Sequence, residues 1–218
     1  MHRIRIISAG PGGRGYITGI ALQKARQCDV IIGTEQQVAA AGHEPGQTVH
    51  KENSVEGIMR LIEQHEGELV GVLVTGDAGI YSLAQRIIAR FGKEAVEEVI
   101  PGVSSIQAAF ARVKEPWLNV RVFSFHGRPL EGLGEILHCD RAAILCDREH
   151  DAKAVLSALA RLGLFTGQLD VYVCRNLTME DEEVIEVRGP GDIEGIGTGR
   201  REIVLLIKTS NSESRLQR

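Results

Sequence analysis

Apolar and polar positions along this chain alternate between two kinds of run. Short strand-like runs lie near residues 3–8, 29–33, 69–75 and 96–100. Between them, residues 18–27, 55–64, 83–91 and 104–112 space their apolar side chains three and four apart, as helices with one buried face do. Strand and helix in alternation predict an α/β fold with a largely parallel sheet. Ser104 followed by Gln107 fits a capping box and marks one helix start.

The rhythm breaks at "VKEPWLNV", where Pro116 biases the residue before it toward extended backbone. Residues 115–119 are therefore the expected linker, separating an N-terminal domain over 1–115 from a second over 119–209. The second half carries strands near 121–125, 142–146, 170–174, 183–187 and 203–207, but only one long helix, 151–162, stopped by Gly163. So strand-rich a segment predicts a mixed sheet with some antiparallel pairs. Residues 210–218 form a polar tail expected to fray.

Composition narrows the function classes. With 43% apolar residues, 25% charged residues and a net charge of −4, the chain has ample core material and no basic stripe of the kind that phosphate backbones require. Nucleic acid is not the expected partner. The start "MHRIRIISAGPGG" is too short and charged for a secretory segment, and no apolar run reaches bilayer length. A cytoplasmic protein is expected. Cys28, Cys139, Cys146 and Cys174 show no CxxC spacing, which favours reduced thiols over disulfides or zinc. Cys146 and His150 could share a helical face, but two ligands make no metal site.

After the first strand stands "SAGPGGRGYITG", in which Gly10, Gly12 and Gly15 satisfy G-x-G-x-x-G, with Glu35 roughly 20 residues further on, where a ribose-binding acid would sit. Two physical points weigh against a dinucleotide. Pro11 lacks an N–H for the pyrophosphate, and the helical pattern begins only near Thr18, leaving Gly15 outside the helix. Arg14, on a loop at the carboxyl edge of the sheet, suits an anionic substrate.

In an open α/β sheet, ligands bind beyond the carboxyl ends of the strands. Three segments should reach that edge: "AGPGG", "TGDAGIYS" and "PGVSSIQ". Gly76 and Gly79 would let backbone approach a ligand, Asp77 could accept from an amine or hydroxyl, and Ser104 with Ser105 opens a helix whose dipole favours a carboxylate. A zwitterionic amino-acid moiety matches both ends.

"GPG" after the first strand, "GDAGIYS", "IPGVSSIQAAFARVKEPW" and "FSFHGR" resemble the tetrapyrrole (corrin/porphyrin) methylase family, within it the branch that methylates C5 of (cobalt-)precorrin-7. The resemblance runs from Ile4 to about Ile207; the "PGVSSIQ…PW" stretch and "HGR" select the branch. It implies two α/β domains with S-adenosylmethionine in the cleft between them, and a homodimer. One departure is Ala78, where the family more often has proline; the loop loses rigidity but keeps Asp77 and its glycines. The chain ends soon after the second domain, so a stand-alone C5 methylase of cobalamin corrin-ring synthesis is expected.

By that resemblance, Pro11, Thr75, Gly76, Asp77, Ile80, Ser104 and Ser105 match cofactor-lining positions, with Leu145 or Cys146 near the adenine and Asn176 in the turn after Cys174. The turn at Cys146-Asp147-Arg148 reads equally well as a helix-capping turn before Asp151. Methyl transfer from a sulfonium requires positioning and a dry pocket more than strong acid–base groups. His126, at a strand end beside Arg128, is the candidate to carry away the proton, although such a histidine also serves as a plain hydrogen-bonding group. Arg14, Arg112, Lys114 and Arg128 are candidate partners for the substrate's carboxylates; Arg112 and Lys114 fit a solvated helix end equally. The competing readings are an NAD(P)-dependent oxidoreductase built on the first glycine loop, methylation at another tetrapyrrole position, and a non-catalytic scaffold whose loops are only turns.

Overall fold

A computed structural model describes residues 1–125, 127, 129–166 and 168–209. The chain packs as two units, Met1–Ala108 and Ala109–Arg218.

In the first unit, strands β1 (Arg3–Ser8), β2 (Val30–Gly33), β3 (Thr48–Lys51), β4 (Leu69–Val74) and β5 (Val96–Ile100) form one parallel sheet in the order β3-β2-β4-β1-β5. Helices α1 (Gly19–Arg26), α2 (Glu35–Ala41), α3 (Val55–Gln64) and α4 (Ala84–Phe91) connect them, and α5 (Ser105–Val113) follows β5. Alternate strand residues feed opposite layers. Ile4, Ile6, Val70, Val72 and Val74 pack with Ile58, Met59 and Ile62 of α3 and Ile87 of α4. Ile7, Ile31, Leu69 and Leu73 pack with Ala21 and Ala25 of α1 and Val38 of α2. Burial on both faces explains why these strands read as continuous apolar runs.

Two elements escape the hydrophobic pattern. β3, "TVHK", is an edge strand without a fully buried residue, and α2, "EQQVAAA", buries only Val38. Their start signals are polar: in α2 the Thr34 hydroxyl accepts from the Gln37 N–H while the Gln37 side chain accepts from the Thr34 N–H.

β4 lies between β1 and β2, and β1 between β4 and β5. The connection leaving β1 must therefore cross β4, and the one leaving β4 must cross β1. Neighbouring strands whose exits diverge open a crevice at their carboxyl ends, the place where open α/β sheets bind ligands.

The second unit holds β6 (Arg121–Ser124), α6 (Leu133–Ile136), β7 (Arg141–Leu145), α7 (Ala152–Arg161), β8 (Leu169–Arg175), β9 (Glu183–Glu186), α8 (Pro190–Gly195) and β10 (Ile203–Lys208). Its sheet has the order β6-β7-β10-β8-β9. β6 and β7 are parallel, whereas β10 runs antiparallel to both β7 and β8, and β9 antiparallel to β8. The mixed sheet read from the sequence is present. Val155, Leu156 and Leu159 of α7 pack with Ala142, Ile144, Val173, Val204 and Leu206. Gly163, at φ +94°, stops α7 as read; α6 and α8 were too short to leave a periodic signal.

Candidate functional site

The site grows from the carboxyl ends of β1, β4 and β5. Ser8 and Val74 are register partners at the ends of β1 and β4, and pairing continues past them: the Ala9 N–H donates to the Val74 carbonyl at 2.7 Å and the Gly76 N–H to the Gly10 carbonyl at 2.7 Å. Gly10 and Gly76 form a backbone bridge, each in left-handed conformation at φ +71° and +70°, which glycine adopts without steric cost. Pro11 follows, buried.

The third segment is tied in by side chains. The buried Ser8 hydroxyl accepts from the Ala78 N–H at 2.9 Å. Asp77 Oδ1 accepts from the Gly79 N–H and Oδ2 from the Gly102 N–H, both at 2.8 Å. A Cβ on Gly102 would collide with Ser8 Cβ and lie 3.0 Å from the Gly76 carbonyl oxygen. A Cβ on Gly76 would lie 3.9 Å from the Ser105 N–H, so this backbone reaches the start of α5. There Ser104, 3% exposed, caps the helix: its Oγ accepts from the Ile106 N–H at 3.1 Å, and the Gln107 side chain accepts from its N–H at 2.9 Å. The three loops "AGPGG", "TGDAGIYS" and "PGVSSIQ" thus meet at one rim.

The role read for Asp77 changes in emphasis. Both its oxygens already hold backbone N–H groups, so it organises the loops before it meets any ligand. Thr75 is exposed and its Oγ1 accepts from Gln37 Nε2 at 2.8 Å, and the Ile80 N–H closes the turn on the Asp77 carbonyl at 3.2 Å. Arg14 stands exposed in a short helical turn, Arg14–Tyr16, within the loop after β1.

The loop after β1 departs from the dinucleotide fingerprint in two ways. Gly15 lies outside α1, which begins at Gly19 under a Thr18 cap. β4 separates β1 from β2, so β2 is not the neighbour of β1 as the fingerprint requires, and the contact from α2 to the glycine loop is made by the Gln36 side-chain amide on the Gly12 carbonyl at 3.4 Å rather than by Glu35. Glu35 opens α2, with Lys51 Nζ at 2.8 Å, and that contact holds its carboxyl below the ordinary glutamate range.

In the second unit, β6, β7 and β8 end on one sheet edge. Leu145 closes β7, half-buried, and the Cys146 N–H donates to the Glu202 carbonyl at 3.1 Å. Burial, with the Glu202 charge adding to it, pushes the Cys146 thiol far above its ordinary value, and burial pushes Cys174 up to about 12. Neither is a thiolate nucleophile at neutral pH. Asn176 sits at φ +45° with Nδ2 donating to Asp181 at 2.8 Å, a turn-forming role. Asp147 accepts from the Gly127, Glu149 and His150 N–H groups, and Asp151 caps α7. The turn after Cys146 is thus a helix-capping turn by its own bonds.

The Arg112 guanidinium forks onto both oxygens of Glu182, which also accepts from the Thr178 N–H. Lys114, at φ +59°, is the left-handed stop of α5, with the Glu115 N–H reaching back to the Phe110 carbonyl at 3.1 Å. His126 and Arg128 lie outside the described residues. Ser8 and Gly102 were missed in the sequence: a lone serine ending an apolar strand and a glycine after proline are too common to signal a junction.

Among the described residues no group of three or more His, Cys, Asp or Glu side chains could hold a metal ion, and no helix is long and apolar enough to cross a membrane.

Residues 3–190 match the family model described as Tetrapyrrole (Corrin/Porphyrin) Methylases. The cobalt-precorrin-7 C(5)-methyltransferase of Salmonella typhimurium is 24% identical over 181 residues, spanning 83% of this chain and 88% of that protein. A probable cobalt-precorrin-7 C(5)-methyltransferase of Methanocaldococcus jannaschii is 23% identical over 83% of this chain and 87% of its own. Among solved structures, the precorrin-6Y methylase of Archaeoglobus fulgidus superposes with a TM-score of 0.70 at 25% identity, covering 97% of this chain and 100% of that one. Uroporphyrin-III C-methyltransferase of Thermus thermophilus, complexed with S-adenosylhomocysteine, shares the fold at a TM-score of 0.74 and 19% identity, covering 94% and 97%.

Proposed function

The chain belongs to the tetrapyrrole (corrin/porphyrin) methylase family and is a methyltransferase, and on that premise we propose that it methylates C5 of (cobalt-)precorrin-7 with S-adenosylmethionine in cobalamin corrin-ring synthesis. The observation that carries the reading is the meeting of three glycine-bearing loops at the β1/β4 crevice, fastened by the Gly10–Gly76 bridge and by Asp77 on Gly102. The choice of C5 is supported by the names of the relatives quoted above.

The rim is compatible with an amino-acid-bearing cofactor: Gly10 and Gly102 let the loops pack on Tyr16 and Ser8, while at Gly76 the nearest atom to a Cβ would be 3.9 Å away, leaving that backbone open to close approach. Pro11, Thr75, Gly76, Asp77, Ile80, Ser104 and Ser105 would hold it, with Leu145, Cys146 and Asn176 beside the adenine. When bound, S-adenosylmethionine supplies an electrophilic methyl group on a sulfonium. The protein's share is to orient and to exclude water. Arg14 and Arg128 would pair with the macrocycle's carboxylates, and His126 would receive the proton released at the methylated carbon. The enzyme would work as a homodimer, which light scattering after gel filtration tests directly.

Titration calorimetry with S-adenosylhomocysteine should show stoichiometric binding, and its absence at millimolar ligand would remove the reading. Incubation with defined precorrins and labelled cofactor, followed by mass spectrometry and carbon NMR, then identifies the methylated carbon. Label at a carbon other than C5 would leave the family and correct the position.

A further inference from the structure

The second unit contains a buried ion pair absent from the roles assigned so far. Arg175, the last residue of β8, is 9% exposed, and Glu202, just before β10, is 4% exposed. Arg175 Nε donates to Glu202 Oε1 at 2.7 Å. The other carboxylate oxygen accepts from the Ala152 N–H, the first residue of α7, at 2.7 Å. The other guanidinium nitrogens reach Glu183 at 3.2 Å and the Gly197 carbonyl. A Cβ on Gly199 would collide with both side chains, so the loop before β10 is closed over the pair.

We infer that the Arg175–Glu202 pair is a positioning element that sets the spacing of the β7 and β8 ends, and so the affinity for the nucleoside end of the cofactor. This rests on the reading that Leu145, Cys146 and Asn176 flank that nucleoside. β7 and β8 are not neighbours in the sheet; β10 lies between them, and Ile203 is the register partner of both Leu145 and Cys174. One residue earlier, Glu202 holds the Cys146 N–H with its carbonyl and the Arg175 side chain with its carboxylate. Arg175 is directly followed by Asn176. A single junction therefore fixes both flanking positions, together with the start of α7. Stability alone does not account for it, because a buried ion pair commonly gives way to apolar side chains of similar volume without loss. What apolar packing lacks is the directional fork of the guanidinium.

The test compares wild type, Arg175→Lys and the double variant Arg175→Met/Glu202→Leu by thermal unfolding, calorimetry with S-adenosylhomocysteine, and KM against kcat for S-adenosylmethionine. The double variant is expected to fold and to bind S-adenosylhomocysteine about fivefold to tenfold more weakly, the range of one displaced polar contact. KM should rise with kcat within about twofold, the pattern of lost binding shared by ground and transition states. A folded double variant with wild-type affinity overturns the inference. Arg175→Lys, which keeps the charge and loses the fork, carries the same test if the double variant does not fold. Wild-type protein that binds no S-adenosylhomocysteine refutes instead the cofactor assignment on which the inference rests.

Discussion

Asp77 holds the Gly102 N–H at 2.8 Å across 25 residues of sequence, and with its other oxygen the Gly79 N–H at 2.8 Å. One carboxylate thereby joins the loop after β4 to the loop after β5, at the point where both approach the backbone bridge from β1.

Asp77→Ala would leave two N–H groups without their acceptor, at about 1–3 kcal/mol for each that water does not reach. Its melting temperature should fall and its affinity for S-adenosylhomocysteine drop at least about tenfold. Asp77→Asn, retaining one acceptor oxygen, should lie between. Thermal unfolding and calorimetry on the three proteins check this; an alanine variant equal to wild type in both would refute the joining role.

Gly102→Ala should destabilise by about 1–3 kcal/mol, because its methyl meets Ser8 and backbone rather than a flexible side chain. Gly134→Ala, where a Cβ meets nothing within 4 Å, serves as the neutral control. Urea midpoints decide between them.

Glu182 gives a pH prediction. The Arg112 fork, then the Thr178 N–H, hold its carboxyl below the ordinary glutamate range, with burial opposing them. The folded state therefore binds fewer protons than the unfolded one in that window. The stabilisation is complete above the unfolded value, about 4.3, and is lost as pH falls through the lower folded value. Urea unfolding between about pH 3 and pH 7 should show wild type losing more stability on acidification than Glu182→Gln.

Thiol labelling tests the interior of the second sheet. With burial pushing Cys174 up to about 12 and Cys146 well above its ordinary value, both should stay unalkylated in native protein at neutral pH and react fully in urea. Mass spectrometry of the labelled peptides reads the result; fast native labelling of Cys174 would contradict its burial.

Arg14 and Arg112 should part in their effects. Arg14→Ala is expected to raise KM for the tetrapyrrole several-fold, about 1 kcal/mol, with S-adenosylhomocysteine affinity unchanged. Arg112→Ala should act on stability, since it strips Glu182 of its partner.

Much of the first unit was readable because β1, β2 and β4 are buried on both faces, and β2 and β4 are nearly pure Ile, Leu and Val while β1 carries three Ile. β3 and α2 were not, because an edge strand and a one-residue helix face leave little apolar signal. The loops at the rim were legible through Gly76, Asp77 and Ser104. What joins them was less so: Ser8, Gly102, Arg175 and Glu202 act across long separations, and a local pattern records no partner 27 or 70 residues away. The Arg112–Glu182 pair was illegible for the same reason, its two members lying 70 positions apart.

The Gly10–Gly76 bridge adds an antiparallel rung to the end of a parallel sheet. The loops it joins are already fixed to one another by backbone bonds, so association of the proposed cofactor should proceed in a single concentration-dependent phase in stopped-flow, without a slower unimolecular step for ordering a loop. The glycines at this rim thus shift the entropic toll of recognition from the encounter with ligand to the birth of the folded chain.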